Sequence, residues 1–480
     1  MKRIKKNSKA YRIINFISRS IALILLLAVI ALSGFAIYLN IFPLKYLIIV
    51  GVLLIVITGC TLFVLISNKI RAKWKIIISF MSLLIISGIC FGLVAGLDVL
   101  DFINKLANKG YMTENYYVVV LKNSVYSQLE DLANTNIVLY DNGSEGIKEV
   151  VTQVKTEIPV TITESIDLAT MTSSLLSGET TALIMESSYK NILDEQDDTF
   201  KTSTKIIYTI NVKVKIKTTV KEVGITTEPF IVYISGVDTY GPITSVSRSD
   251  VNIVATINPQ TKKVLLTSIP RDYYVQLHGT TGYKDKLTHA GIYGISMSIK
   301  TIEDLLANDI NYYIKVNFDS LIKIVDIIGG IDINLAQGFS TPEYRFVAGN
   351  NHMNGKKALA FSRERHSFAG GDRARGENQE LVIKAIIEKV SSPSILTKYT
   401  SILNSLEGTF ETNVSATNIK KLVKMQLDDM ASWQITSANL DGNDSSNYTY
   451  SFGGQMLYVM EPKLETIDQA KKAIAKIKSN

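Results

Sequence analysis

Three stretches of the chain, residues 21–42, 46–66 and 76–97, are almost wholly apolar, and no acidic residue precedes Asp98. Each stretch reaches the ~20 residues that a helix needs to cross the hydrocarbon core of a bilayer. After Asp98 the runs shorten and polar residues interrupt them. From residue 116 to about 216, strand-like runs (117–121, 136–140, 160–163, 181–185) alternate with helix-like ones (127–133, 145–154, 168–176), which predicts a small α/β domain. Residues 194–198 read as a polar break. Residues 205–220 alternate apolar and charged positions and read as a long, partly exposed strand. A boundary falls at 224–229.

Beyond it the pattern predicts a strand at 230–235, then a hairpin of 251–257 and 263–269 around Pro259. A helix at 297–307 and a strand at 312–316 follow. An apolar helix at 321–328 closes on Gly329-Gly330 and feeds a strand at 331–335. Residues 356–360 lead into Arg363. Helices are expected at 381–390, 395–406, 416–430 and 467–477, and strands at 433–440 and 455–460. The fold class is therefore α/β behind three membrane helices. The division is 1–97 for the N-terminal tail and spans, 98–225 for a small α/β domain, and 226–480 for a larger second domain with a helical and strand extension.

Charge sets the expected topology. Seven basic residues precede the first apolar run, four (Lys69, Arg71, Lys73, Lys75) fill the second loop, and only Lys45 lies in the first. Positive loops stay inside, so the N-terminus is expected in the cytoplasm and everything after Asp98 outside. The net charge of +7 thus belongs to the membrane flanks: the chain after Leu97 has 39 basic against 44 acidic residues. That balance argues against a nucleic-acid partner. Cys60 and Cys90 both sit in apolar runs, so the outer portion is expected to fold without disulfides.

Familiar reaction motifs are missing. There is no Gly-x-Ser-x-Gly elbow, and the four histidines lack zinc spacing. What stands out is arginine. Arg363 and Arg365 flank Glu364, and on an extended backbone both would project the same way. If a helix begins near Gly376, Arg375 and Gln379 could line its first turn, where free N–H groups favour an anion. Arg271 follows Ile269-Pro270 at a strand end. Converging arginines suit a diphosphate; solvated arginines paired with Glu364 and Asp372 fit the spacing equally well. Asp238 and Asp250, with Arg248 beside the latter, close one strand and open the next. They could share Mg²⁺ with a phosphate or merely cap turns. Leu321, Ile324, Val325 and Ile328 form a greasy helix face, for core packing or for a lipid slot.

The runs ISGVDTYG (234–241), SRSDVNIVATINP (247–259), SIPRDYYV (268–275), DKLTHAGIYG (285–294), VNFDSLIKIVDIIGGIDI (316–333) and ALAFSRERHSFAGGDRARGENQ (358–379) resemble, in order and spacing, the LytR–CpsA–Psr family. The likeness covers about 230–388. The preceding α/β region is similar to the accessory domain of streptococcal capsule members. The resemblance implies an αβα core around a central mixed β-sheet that binds a polyprenyl-phosphate lipid. It implies transfer of a glycopolymer, here capsular polysaccharide, from a polyprenyl-diphosphate carrier to peptidoglycan with Mg²⁺. Carried over by motif, Asp238 and Asp250 become metal ligands. Arg248, Arg271, Lys300, Arg363, Arg365, Arg375 and Gln379 become diphosphate contacts, and Leu321, Ile324, Val325 and Ile328 meet lipid. Asp238, Arg271, Arg363 and Arg365 are the expected catalytic residues, with Asp238 as base. Asn378 stands where the family often has arginine. Pyrophosphate hydrolysis would be a side reaction of the same site, and capsule-assembly proteins would be partners. The rival readings are a non-catalytic lipid-binding regulator and a membrane-bound transcriptional attenuator.

Overall fold

The computed structural model describes residues 9–107, 111–215, 220–237, 243, 246–367, 372–392, 410–452 and 455–479. They form two compact units, one of residues 1–105, 391–405 and 415–431, the other of the remainder.

The first unit holds helices α1 (Lys9–Leu39), α2 (Leu44–Ile66) and α3 (Ala72–Ala107). All three are long and apolar enough to cross a membrane. Their large apolar side chains point outward, Leu23, Ile30, Ile55, Phe63 and Phe80 among them, as lipid-facing helices require. A narrow seam of Ile21, Ala22, Leu25, Leu65 and Ile89 is buried between them. The Lys75 ammonium donates to Asn15 Oδ1 at 2.7 Å and to the Leu65 carbonyl at 2.9 Å. The helix Ala416–Asp429 belongs to the same unit and is capped by Ser415, whose hydroxyl accepts from Asn418 N.

The second unit contains two sheets. The first combines β1 (Tyr111–Leu121), β2 (Asn136–Tyr140), β3 (Thr161–Ser165), β4 (Ala182–Glu186) and β5 (Thr204–Lys215) in the order β3-β2-β4-β1-β5. Helices α4 (Ile147–Glu157), α5 (Leu168–Leu176), α6 (Ser187–Gln196) and α7 (Asp198–Ser203) connect its strands. Two expectations fail here. The helix at 127–133 is only a 3₁₀ turn, Leu129–Leu132. The polar break at 194–198 lies across two helices, because only Asp197 breaks the chain: its carboxylate accepts from Thr199 N and Phe200 N and starts α7. Tyr189, Ile192, Leu193 and Phe200 are buried from these helices; the polar residues between them hid the helical period.

The second sheet uses β6 (Phe230–Gly236), the antiparallel hairpin β7 (Val251–Asn258) and β8 (Lys263–Ser268), then, after the short pair β9 (Tyr274–Val275) and β10 (Asp285–Lys286) and helix α8 (Ile295–Leu306), strand β11 (Tyr312–Val316). Helix α9 (Phe318–Ile327) follows, with β12 (Ile331–Leu335), β13 (Phe339–Ser340), β14 (Arg345–Phe346), β15 (Gly349–Met353), α10 (Gly355–Arg363) and α11 (Asp372–Val390). The chain returns with β16 (Glu411–Thr412), β17 (Gln434–Asn439), the hairpin β18 (Gly442–Asn447) and β19 (Leu457–Pro462), and α12 (Leu464–Ser479). The sheet order is β16-β11-β6-β7-β8-β17, mixed, with β11 parallel to β6 and β17 parallel to β8. On one face Tyr233, Val254 and Leu265 pack against Ile302 and Leu306 of α8 and Ile467, Ala470 and Ile474 of α12. On the other lies α11, meeting β7, β8 and β17. This is the αβα sandwich. Helix α11 starts at Asp372, nine residues before the expected 381, because its first two turns are polar. The expected helix at 395–406 lies outside the described residues. The two sheets share a core in which Ile292 packs with Tyr189 and Leu183, and Val246 N donates to Thr113 O at 3.1 Å.

Candidate functional site

Strand polarity gathers the predicted residues on one rim of the six-stranded sheet. Gly236 at the end of β6 pairs with Val251 at the start of β7 and with Val316 at the end of β11, while β8 ends beside Ile253. Asp250, Arg271 and the start of α9 therefore all leave the sheet at the same edge, the carboxyl end of its parallel strands, where open α/β sheets bind ligands.

Asp250 is buried there. Arg271 Nη1 lies 3.3 Å from its Oδ1, and Thr288 Oγ1 donates to the same oxygen at 3.0 Å. Asp250 Oδ2 is buried and has no hydrogen-bond partner among the described residues. A buried carboxylate oxygen without a donor is costly unless something else meets it. Thr288 does more than hold this carboxylate. Its N–H donates to Arg271 O at 2.8 Å, and its carbonyl accepts from Ser249 N at 3.1 Å. It sits in a 3₁₀ turn, Leu287–Tyr293, that packs flush on residues 247–249: a Cβ at Gly291 would come within 2.6 Å of Ser247 O. Thr288 was missed in the sequence, although it stands inside the DKLTHAGIYG run.

A second carboxylate, Asp272, lies behind Arg271. Arg271 Nε is 3.4 Å from Asp272 Oδ2, and Lys286 Nζ is 3.0 Å from Oδ1. Burial opposes the charge of Asp272, but the Lys286 ammonium and the Arg271 guanidinium outweigh it and hold the carboxyl below its ordinary range. Arg271 is thus aimed by carboxylates on two sides. Behind the pair, Asp285 and His289 are fully buried with Oδ1 and Nδ1 2.6 Å apart, and Ser451 N donates to Asp285 Oδ2 at 2.8 Å. This clasp fixes the turn that carries Thr288.

The Arg363–Arg365 pair departs from expectation. Arg363 ends α10 and Arg365 follows its cap, so they are not two positions of an extended strand. Arg363 is exposed, with its guanidinium carbon 4.4 Å from the centroid of the Phe318 ring at the start of α9, a cation–π contact. Arg365 is exposed, and its Nε donates to His366 Nε2 at 3.4 Å. The Ser367 and His366 amides overcome a burial penalty and keep the Glu364 carboxyl below its usual range. Arg375 and Gln379 lie in the first two turns of α11, both half-buried. A Cβ at Gly376 would stand 3.3 Å from Ser268 Oγ, so this helix start sits against the end of β8, three residues before Arg271.

Other predicted residues fall differently. Asp238 lies outside the described residues. Arg248 is half-buried next to Ser249. Lys300 is exposed on α8. Val325 and Ile328 are core residues, while Leu321 and Ile324 stay half-buried. Among the described residues no group of three or more His, Cys, Asp or Glu could hold a metal. A site of one or two carboxylates and an open coordination shell still fits Mg²⁺, which borrows oxygens from phosphate and water; the unpartnered Asp250 Oδ2 is the donor such an ion needs.

Glu380, next to Gln379, is buried against β17. Its carboxyl accepts from the Asn439 amide, oriented to donate, at 2.9 and 3.2 Å. Burial raises its pKa to about 8. A carboxyl raised in the folded state supports the fold fully below its ordinary pKa and loses that support as pH rises towards 8. Glu380→Gln is therefore expected to stabilise the protein by about 1–3 kcal/mol at pH 8, with the gain vanishing near pH 4. Thermal melts of both proteins across this range check it.

The model of the LytR_cpsA_psr family matches residues 195–473. The chain belongs to the LytR–CpsA–Psr family. Among relatives, the "Polyisoprenyl-teichoic acid--peptidoglycan teichoic acid transferase TagU" of Enterococcus faecalis is 38% identical over 198 residues, which is 41% of this chain and 65% of the relative. The protein of the same name from Bacillus mycoides is 38% identical over 189 residues, 39% of this chain and 61% of the relative. The chain thus matches less than two thirds of the length of these LytR–CpsA–Psr relatives. The crystal structure of B. subtilis TagV is 29% identical with a TM-score of 0.46, covering 53% of this chain and 98% of that one.

Proposed function

We propose that this LytR–CpsA–Psr protein transfers a glycopolymer from a polyprenyl-diphosphate carrier to peptidoglycan. The observation that carries this reading is the Asp250–Arg271–Thr288 clasp, with one carboxylate oxygen unpartnered, on a rim that also carries Arg363 and the start of α11. A diphosphate is the anion that such a rim suits: several fixed guanidinium groups meet its charge, each bidentately where geometry allows. The TagU relatives, named as teichoic acid transferases acting on peptidoglycan, support the reaction class.

In the proposed reaction, Arg271, Arg363, Arg365, Arg375 and Gln379 bind the diphosphate oxygens, with Arg248 and Lys300 as outer contacts. A peptidoglycan hydroxyl attacks the phosphorus that bears the sugar. The bond from that phosphorus to the bridging oxygen breaks, and polyprenyl phosphate leaves. Asp238 takes the hydroxyl proton. Charge grows on the bridging oxygen as the bond breaks, so arginines held in place beforehand stabilise the transition state more than the bound substrate. Mg²⁺, held by Asp250 and Asp238, would neutralise the diphosphate and the leaving phosphate. Leu321 and Ile324, half-buried beside core residues Val325 and Ile328, would meet the first isoprene units.

The accessory α/β sheet and three spans favour capsular polysaccharide as the polymer. The charge asymmetry of the spans would put residues 98–480 on the outer face of the cell membrane, beside peptidoglycan. Cells lacking the protein are expected to shed the polymer into the medium, and the wild-type gene to restore its attachment to the wall. Restoration by an Arg271→Ala, Asp250→Asn double variant would instead favour a regulator that needs no chemistry. A tag after Asn480 should be accessible in intact cells; protection of that tag would contradict the placement.

A further inference from the structure

The Ala416–Asp429 helix lies far from the three apolar helices in the sequence but belongs to the same compact unit. Its sequence ATNIKKLVKMQLDD is amphipathic. Ile419, Leu422 and Val423 follow helical spacing on one side. Lys424 and Asp428, four apart, share another stripe. That stripe grips the turn between α1 and α2. Lys424 Nζ donates to Asn40 Oδ1 at 2.8 Å, and Lys45 Nζ lies 3.3 Å from Asp428 Oδ1.

The depth of that turn follows from the chain on either side. It joins two helices that are each long enough to span a bilayer. Tyr38, Phe42 and Tyr46 around it are exposed, and aromatic residues of this kind collect at the headgroup level of a membrane. Two contacts one helical turn apart therefore hold the Ala416–Asp429 helix at the same level. Of its other three charges Asp429 is acidic and two are basic: Lys420 and Lys421 have no carboxylate partner among the described residues. A helix with an apolar side and free lysines at headgroup depth has the composition of an interfacial helix.

We infer that the Ala416–Asp429 helix is a membrane-surface element, docked on the α1–α2 turn, whose external partner is the layer of anionic phospholipid headgroups. Lys420 and Lys421 meet lipid phosphate, Lys424 and Asp428 fix the helix to the turn, and Ile419, Leu422 and Val423 cover the apolar boundary. The inference rests on the three apolar helices being spans; it does not rest on the transfer reaction.

The test uses the full-length protein in nanodiscs containing phosphatidylglycerol, in a Cys60→Ser, Cys90→Ser background. One fluorophore is placed at Lys421→Cys and, separately, at Phe42→Cys as a depth reference. Nitroxides on lipid headgroups are expected to quench both labels to a similar extent, with mid-chain nitroxides weaker at Lys421→Cys. The Lys45→Cys, Asp428→Cys pair should form a disulfide in the native membrane, whereas Lys45→Cys with Thr417→Cys should not. A Lys421→Cys label quenched only by aqueous iodide, while the Phe42→Cys label answers to lipid nitroxides, would overturn the inference and leave the spans intact. If neither label answers to lipid, the span reading itself fails and the inference with it.

Discussion

Arg271→Ala is expected to lower the second-order rate of polymer transfer by at least about a hundredfold. A hydrogen bond to a charged group contributes roughly 1.5–3 kcal/mol, about tenfold or more in diphosphate affinity. The larger part is lost in the transition state, where removing one preorganised donor costs about 10²–10³ in rate. Arg271 also stands between two buried carboxylates, Asp250 and Asp272. Its loss leaves Thr288 as the remaining donor to Asp250 among the described residues, while Asp272 keeps Lys286. Arg271→Lys should recover binding more than rate, since an ammonium supplies charge without the planar fork. Steady-state kinetics on folded variants, with melting temperature as the control for folding, separate the two. Equal rates for wild type and Arg271→Ala would take Arg271 out of the site.

Asp250→Asn is expected to abolish the dependence of transfer on Mg²⁺ and to slow transfer about a hundredfold or more. The substitution keeps the shape of the side chain and an acceptor for Thr288 Oγ1 and Arg271 Nη1, so the clasp should survive. What it removes is the charge on the oxygen that has no partner. In the absence of Mg²⁺ the variant should bind a short polyprenyl diphosphate at least as tightly as the wild type, because a like charge has gone. Calorimetry of Mg²⁺ with and without that lipid provides the readout. A wild-type response to Mg²⁺ in the variant would mean that Asp250 only caps the entry to β7.

The large elements were legible because their periods are plain. The β7–β8 hairpin, β11, α9 and the closing helix follow from apolar spacing that a strand or helix must bury. The rim could be foreseen in part: Arg271, Asp250 and Arg375 stand at strand or helix ends, where side chains leave the sheet together. Three things were hidden. The helical backbone at Arg363 was misread as extended, since Glu364 looks like the centre of an alternating triplet. The pairing of Asp250 with Thr288, 38 residues on, is a tertiary contact that no local pattern encodes. The helix α6 was concealed by a charged face over Tyr189, Ile192 and Leu193. Buried Asp285 and His289, four apart in the sequence, offered a signal: an acid and a histidine at that spacing can pair as a structural clasp once both are buried.

The most direct test is transfer by the purified full-length protein from a polyprenyl-diphosphate-linked polymer, labelled in both the polymer and the lipid, to isolated peptidoglycan. The account predicts polymer label fixed to the wall in step with release of polyprenyl monophosphate, and neither with Arg271→Ala. Bound lipid with no label reaching the wall, under conditions where the protein is folded and Mg²⁺ is present, would contradict it.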